Sequence, residues 1–161
     1  MASRLQSELK QRKPFTSLEV EAYLNLARTA DRLSRAVEAL LSGHDLTQVQ
    51  YNVLRILRGA EPEGLPCGEV AARLVTHDPD VTRLLDRLER RELVLRSRSA
   101  TDRRQVWARI TPAGLTLLAA MTDDESLDAL HRRQFAPLSR DELSTLIRLL
   151  EAIRPPDAPR S

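Results

Sequence analysis

Three side chains with hydrogen-bonding ends, Thr82, Arg83 and Arg87, fall on one side of a stretch whose other side is Val81, Leu84, Leu85 and Leu88. The apolar set recurs at i, i+3, i+4 and i+7, one face of a helix, so the polar set is left facing outward. A guanidinium is a permanently charged planar fork of N–H donors, suited to anionic oxygens and to paired acceptors. Threonine adds a hydroxyl that donates or accepts. A second group, Arg98, Arg103 and Arg104, flanks a polar Ser99-Ala100-Thr101-Asp102 turn. From Arg83 to Arg109 nine arginines stand against four acidic residues, although the whole chain carries only +2. Basic charge gathered on one segment marks a polyanionic partner.

The elements that must hold these groups are legible around them. Asp78 is a good N-cap for a helix over 78–91, Pro79 suits its first position, and Asp80 complements the positive end of the helix dipole. A short helix near Cys67 to Leu74, with Val70, Ala71 and Leu74 inward, precedes it. After it, Leu93 to Arg98 and Gln105 to Thr111 both alternate with period two, which predicts a β-hairpin. In the second run Val106, Ala108 and Ile110 share one face, and Gln105, Trp107 and Arg109 the other. Trp107 is expected to cover the hairpin. Short helix, turn, second helix and hairpin make a winged helix-turn-helix over 46–111. A helix fits the major groove of duplex DNA, where Thr82, Arg83 and Arg87 meet base edges. Its N-terminus, with Pro79 and Asp80, points backbone N–H groups toward a phosphate. Arginines on the hairpin reach a phosphate or a narrow minor groove.

The rest of the chain reads as scaffold. Residues 1–17 are a polar arm with room for a short helix. Over 18–42, Tyr23, Leu26, Ala30, Leu33, Val37 and Leu40 alternate spacings of three and four, a heptad pattern. Gly43 then offers a left-handed C-terminal cap. Thr47 caps a helix running to about Arg58, and Gly59 to Pro66 reads as a loop. Thr111-Pro112 opens another helix, predicted to continue to about Phe135 with an irregularity at Thr122 to Glu125. Ser139 to Glu142 forms a capping box, and Leu143, Leu146, Ile147, Leu150 and Ile153 line a final helix ended by Pro155-Pro156. The terminal helices are too apolar for the small globule they would cover. They are therefore read as homodimerisation elements, 18–42 and 112–153, with Tyr23, Leu26, Leu33, Leu143, Leu146 and Leu150 at the interface. Residues 154–161 are expected to be a disordered tail. The fold class is thus mainly α with a small β-hairpin, a single domain over 1–161.

Other chemistries lack support. There is no G-x-S-x-G, P-loop or dinucleotide fingerprint, so no enzyme and no cofactor are expected. His44, His77 and His131 are scattered without ligand spacing, so no metal is expected. Cys67 opens a helix, where the dipole would lower a thiol pKa, but a small residue at a helix entry is the favoured reading. A lone cysteine, no run of about 18 apolar residues and a polar first segment, Met1 to Lys13, point to a cytoplasmic protein away from membranes. The rival from another class is a winged-helix protein-interaction module without DNA binding. Basic residues on both helix face and hairpin weigh against it.

Several of these stretches, in order, resemble the MarR family of bacterial regulators. They are Asp80-Val-Thr-Arg-Leu-Leu-Asp-Arg-Leu-Glu89, Leu93-Val94, Asp102-Arg103-Arg104 and Ile110-Thr-Pro-Ala-Gly114. Leu46-Thr-Gln-Val-Gln-Tyr-Asn-Val-Leu54 resembles the helix that precedes the family's helix-turn-helix. The likeness covers roughly residues 20–153. It implies a homodimer with the terminal helices as its body, major-groove reading by the Thr82-Arg83 region, and minor-groove contact by the Asp102-Arg103-Arg104 wing. It also implies that Asp102 supports the wing by pairing with an arginine. A repressor on a palindromic operator follows, with a small-molecule effector between dimer body and winged module. Glu92 stands where the family commonly has Gly.

Overall fold

The computed structural model describes residues 3–76, 80–98, 105–121 and 126–154. The elements in chain order are α1 (Arg4–Glu8), α2 (Leu18–Ser42), α3 (Gln48–Arg58), β1 (Leu65–Pro66), α4 (Cys67–Ala72), α5 (Val81–Arg90), β2 (Val94–Arg98), β3 (Val106–Ile110), α6 (Pro112–Ala119), α7 (Leu127–Phe135) and α8 (Arg140–Ala152). The chain divides into two compact units, 1–122 and 123–161.

In the first unit α3 is the central helix. Thr47 caps it through a full capping box with Gln50, and Val53, Leu54 and Leu57 are fully buried. They share the core with Leu41, Val70, Leu85, Leu88 and Val94. Burying one such side chain stabilises by roughly 1.5–3 kcal/mol, so this cluster holds the recognition module together. Helix α5 gives it Leu84, Leu85 and Leu88 while Val81 stays half-buried. The sheet is antiparallel in the order β1-β3-β2, with Val94 opposite Ile110 and Arg98 opposite Val106.

Several expectations are corrected. The loop over 59–66 ends in a strand: Leu65 pairs with Ala108 and Pro66 with Trp107. Gly43 is right-handed, and Asp45 takes the left-handed position (φ 53°) instead. There Leu46 N–H bonds the Leu41 carbonyl at 3.1 Å and Asp45 N–H that of Ser42 at 3.1 Å, a Schellman closure. The helix expected over 78–91 is described from Val81 with Asp80 as its cap, and Asp78, the cap expected from sequence, lies outside the described residues. The helix expected from Pro112 to about Phe135 with an irregularity at Thr122 to Glu125 is described as α6 ending at Ala119 and α7 starting at Leu127, and Thr122 to Glu125 lie outside the described residues.

Helix α2 buries only Val37 and Leu41, near its C-terminal end, and leaves Tyr23 69% exposed. Helix α1 packs Leu5 inward and ties Glu8 to Arg28 at 2.9 Å. Helix α8, in the second unit, keeps the predicted Ser139–Glu142 box but has no buried residue. No described helix is long and apolar enough to cross a membrane.

Candidate nucleic-acid interface

The face proposed from sequence is assembled on α5. Asp80 accepts the Arg83 N–H at 3.2 Å and pairs with the Arg83 guanidinium at 3.1 Å. Arg83 nonetheless remains 78% exposed. An exposed ion pair is worth at most about 1 kcal/mol, so this one restrains Arg83 without withholding it from a DNA partner. Thr82 and Arg87 are exposed beside it. Arg90 bonds the Asp86 carbonyl at 3.3 Å. Arg98 ends β2, exposed. Pro79, Asp102, Arg103 and Arg104, like His77 and Asp78, lie outside the described residues.

Three contacts that sequence reasoning missed set the attitude of α5. Ahead of the helix, Asn52 on α3 accepts the Val75 N–H at 3.0 Å and ties the chain beyond α4 to α3. Behind it, the Arg91 guanidinium donates to the Asp45 carbonyl at the end of α2. The third is Arg96. Its guanidinium pairs with Glu89 at 2.8 Å and with Asp86, and its backbone N–H donates to Glu89 Oε1 at 2.9 Å. The backbone N–H of Arg96, then its side chain, hold the Glu89 carboxyl below the ordinary carboxylate range against partial desolvation. Period two was the available signal for this cluster. It places Arg96 on the strand face of buried Val94, after carboxylates at i and i+3 on the preceding helix.

At the helix-to-wing joint Glu92 adopts the left-handed conformation (φ 58°). Leu93 N–H bonds the Leu88 carbonyl at 3.0 Å and Glu92 N–H that of Glu89 at 2.8 Å, so the Schellman closure forms without glycine. Thr111 then clasps the joint. Its hydroxyl donates to the Glu92 carbonyl at 2.6 Å, its N–H to that of Leu93 at 3.1 Å, and its Oγ1 caps α6 by accepting from Gly114 N–H. A Cβ on Gly114 would lie 2.5 Å from the Leu93 oxygen, which accounts for the glycine in the Ile110–Gly114 stretch. Glu92→Gly is expected to stabilise the protein by about 1 kcal/mol, because a left-handed residue with a Cβ costs about that much. Thermal unfolding should show a rise of roughly 2–4 °C with DNA affinity unchanged. An unaltered midpoint would mean that the glutamate side chain offsets the strain.

Cys67 is half-buried at the first position of α4, and burial pushes its thiol pKa up, with Arg96 only partly opposing this. The direction is opposite to the dipole argument and unfavourable to a reactive thiolate. Trp107 is half-buried between Pro66 and Ser97 across the sheet, and its indole N–H has no partner among the described residues. His131 bonds Gln134 at 3.1 Å. Among the described residues no three His, Cys, Asp or Glu side chains gather as metal ligands.

A sequence model of the MarR family matches residues 46–106, the segment from the cap of α3 into the wing. A MarR transcription factor from Planctomyces limnophilus is 46% identical and superposes with a TM-score of 0.65, over 86% of this chain and 99% of that one. The chain belongs to the MarR family. The HTH-type transcriptional regulator TtmR of Methylorubrum extorquens is 37% identical over 105 residues, 65% of this chain and about half (53%) of its own length. The MepR–DNA complex from S. aureus, 26% identical with a TM-score of 0.73, covers 87% of this chain and 97% of that one. As a MarR-family protein with a winged helix-turn-helix, the chain is a DNA-binding transcriptional regulator and not an enzyme.

Proposed function

We propose that this MarR-family regulator works as a homodimeric repressor on a palindromic operator. Two α5 helices enter major grooves about one helical turn apart. Thr82, Arg83 and Arg87 read base edges there, with Asp80, the cap of α5, and Pro79 before it in sequence contributing near the DNA backbone. Arg98, Arg103 and Arg104 extend from the wing, with Asp102 supporting them, toward phosphate or minor groove. Occupying the operator excludes other proteins from the same DNA. Release comes from a small-molecule effector, which must bind the DNA-free conformation more tightly than the DNA-bound one.

The observation that carries this reading is the exposed Thr82, Arg83, Arg87 face on a helix whose opposite side is locked in the core. Arg83→Ala is expected to cost roughly 1–3 kcal/mol on a duplex selected by the wild-type protein and to relax its base preference. Titrations on selected and random duplexes at several salt concentrations test it. Equal losses on both would reduce Arg83 to a phosphate contact. A flat dependence of log K on log salt would remove the arginine contacts altogether.

A further inference from the structure

The segment 83–109 is basic as a whole, yet its arginines do not share one task. Arg96 is 22% exposed, whereas Arg83 is 78% exposed. It lies on the same strand face as buried Val94, and across the sheet it faces buried Ala108. Two of its partners, Asp86 and Glu89, belong to the recognition helix itself, and Glu89 binds it twice, through backbone and side chain. These bonds cross from α5 to β2, the two elements that carry the proposed groove and wing contacts.

We propose that Arg96 is a positioning residue: it clamps the wing to the recognition helix through Glu89 and Asp86 and does not itself contact DNA. The backbone bond from Arg96 N–H to Glu89 sets where β2 leaves the helix, and the guanidinium fork holds that spacing against both carboxylates. It also neutralises carboxylates on a helix that must approach a polyanion. One charge at this place therefore serves orientation and electrostatics together. The inference rests on the DNA-binding assignment for its consequence, and its geometry is open to a test without DNA.

The discriminating variants are Glu89→Gln, Arg96→Lys and Arg96→Met. Electrostatics alone predicts that Glu89→Gln, which removes a negative charge near DNA, binds any duplex more tightly. A clamp predicts the opposite sign: loss of about tenfold on the selected duplex, with little change on random duplex. Arg96→Lys keeps the charge but lacks the planar fork, so it is expected to lose nearly as much as Arg96→Met. Combining Glu89→Gln with Arg96→Met should add little to either single loss, since both break one contact. In the free protein, amide exchange over 94–98 and 106–110 should quicken in Glu89→Gln and Arg96→Met while exchange in α3 stays at the wild-type rate. Wild-type affinity or tighter binding in Glu89→Gln, full activity in Arg96→Lys, or unchanged exchange in the wing would each overturn the proposal. A wild-type chain that bound no duplex would instead fail the assignment beneath it, and the exchange result would still decide the clamp.

Discussion

In the proposed homodimer, Tyr23→Asp and Ile147→Asp, made separately, are expected to give a monomer and to weaken binding to a selected palindromic duplex by roughly 10²- to 10⁴-fold. Helices α2 and α8 carry apolar side chains that are exposed in the single chain. Helix α8 runs 13 residues and buries none of them, and a helix that short is marginal in water without packing. Ile147 and Leu149 on it and Ile153 at its C-terminal cap are exposed. Leu143, Leu146 and Leu150, assigned to the interface from sequence, are half-buried. On α2 the heptad residues Tyr23 and Leu26 are exposed and Leu33 is half-buried, while only Val37 and Leu41 reach the core. A carboxylate brought into an apolar interface has no partner there and cannot be desolvated cheaply. Both substituted positions are exposed in the single chain, so its own core should survive. The large loss on DNA follows because one half-site bound by a dimer makes the second binding intramolecular. Sedimentation velocity and duplex titration on the same samples decide the matter. A variant that stays dimeric and binds at full strength would remove these positions from the interface.

How much of this was legible beforehand depended on how local the signal was. Helix α5 and strand β3 are short periodic runs, and period is a local property, so residue types alone assign their faces, whereas for β2 alternation marks only a strand, whose buried Val94 and exposed Leu95 the structure supplies. The exposed Thr82, Arg83 and Arg87 follow from that reading. Helix ends were harder, because several residues compete for one role. Asp78 and Asp80 both qualify as caps, and only the bond from Arg83 N–H to Asp80 selects between them. At the end of α2 glycine chemistry favoured Gly43, yet the left-handed site is set by where the chain must turn, and Asp45 accepts it. Glu92 makes the same point at the root of the wing. The least legible features were pairings between distant segments. Strand β1 has two residues, too few for a pattern, and exists only because β3 lies beside it. The bonds from Arg91 to Asp45 and from Val75 to Asn52 likewise have no local trace. Arg96 lies between these cases: its strand parity is a local signal, but its pairing with Asp86 and Glu89 joins two separate elements.

Gly64→Ala is expected to destabilise the protein by about 3 kcal/mol, combining a left-handed residue with a Cβ and an over-packed contact. Gly64 is buried with φ at 78°, in the half of conformational space that side chains avoid. A Cβ there would sit 2.3 Å from the Ala108 oxygen and 2.4 Å from Arg109 Cγ. The Arg109 side chain has some freedom to move, although its Nε is held by the Glu63 carbonyl at 2.7 Å. The Ala108 oxygen is backbone in the middle strand, with β1 on one side and β2 on the other, and has none. Relief therefore requires β1 to separate from β3, and β1 leads directly into α4 at Cys67. The helix-turn-helix and the wing are joined at this point, so the damage should reach DNA affinity as well as stability. Gly68, with nothing within 4 Å of its would-be Cβ, is the internal control, and Gly68→Ala should leave both properties near wild type. For Gly64→Ala the thermal midpoint should fall by roughly 6–12 °C. A fall of less than about 2 °C would mean that β1 can leave the sheet at little cost, and that the wing is anchored by Arg96 and Thr111 alone.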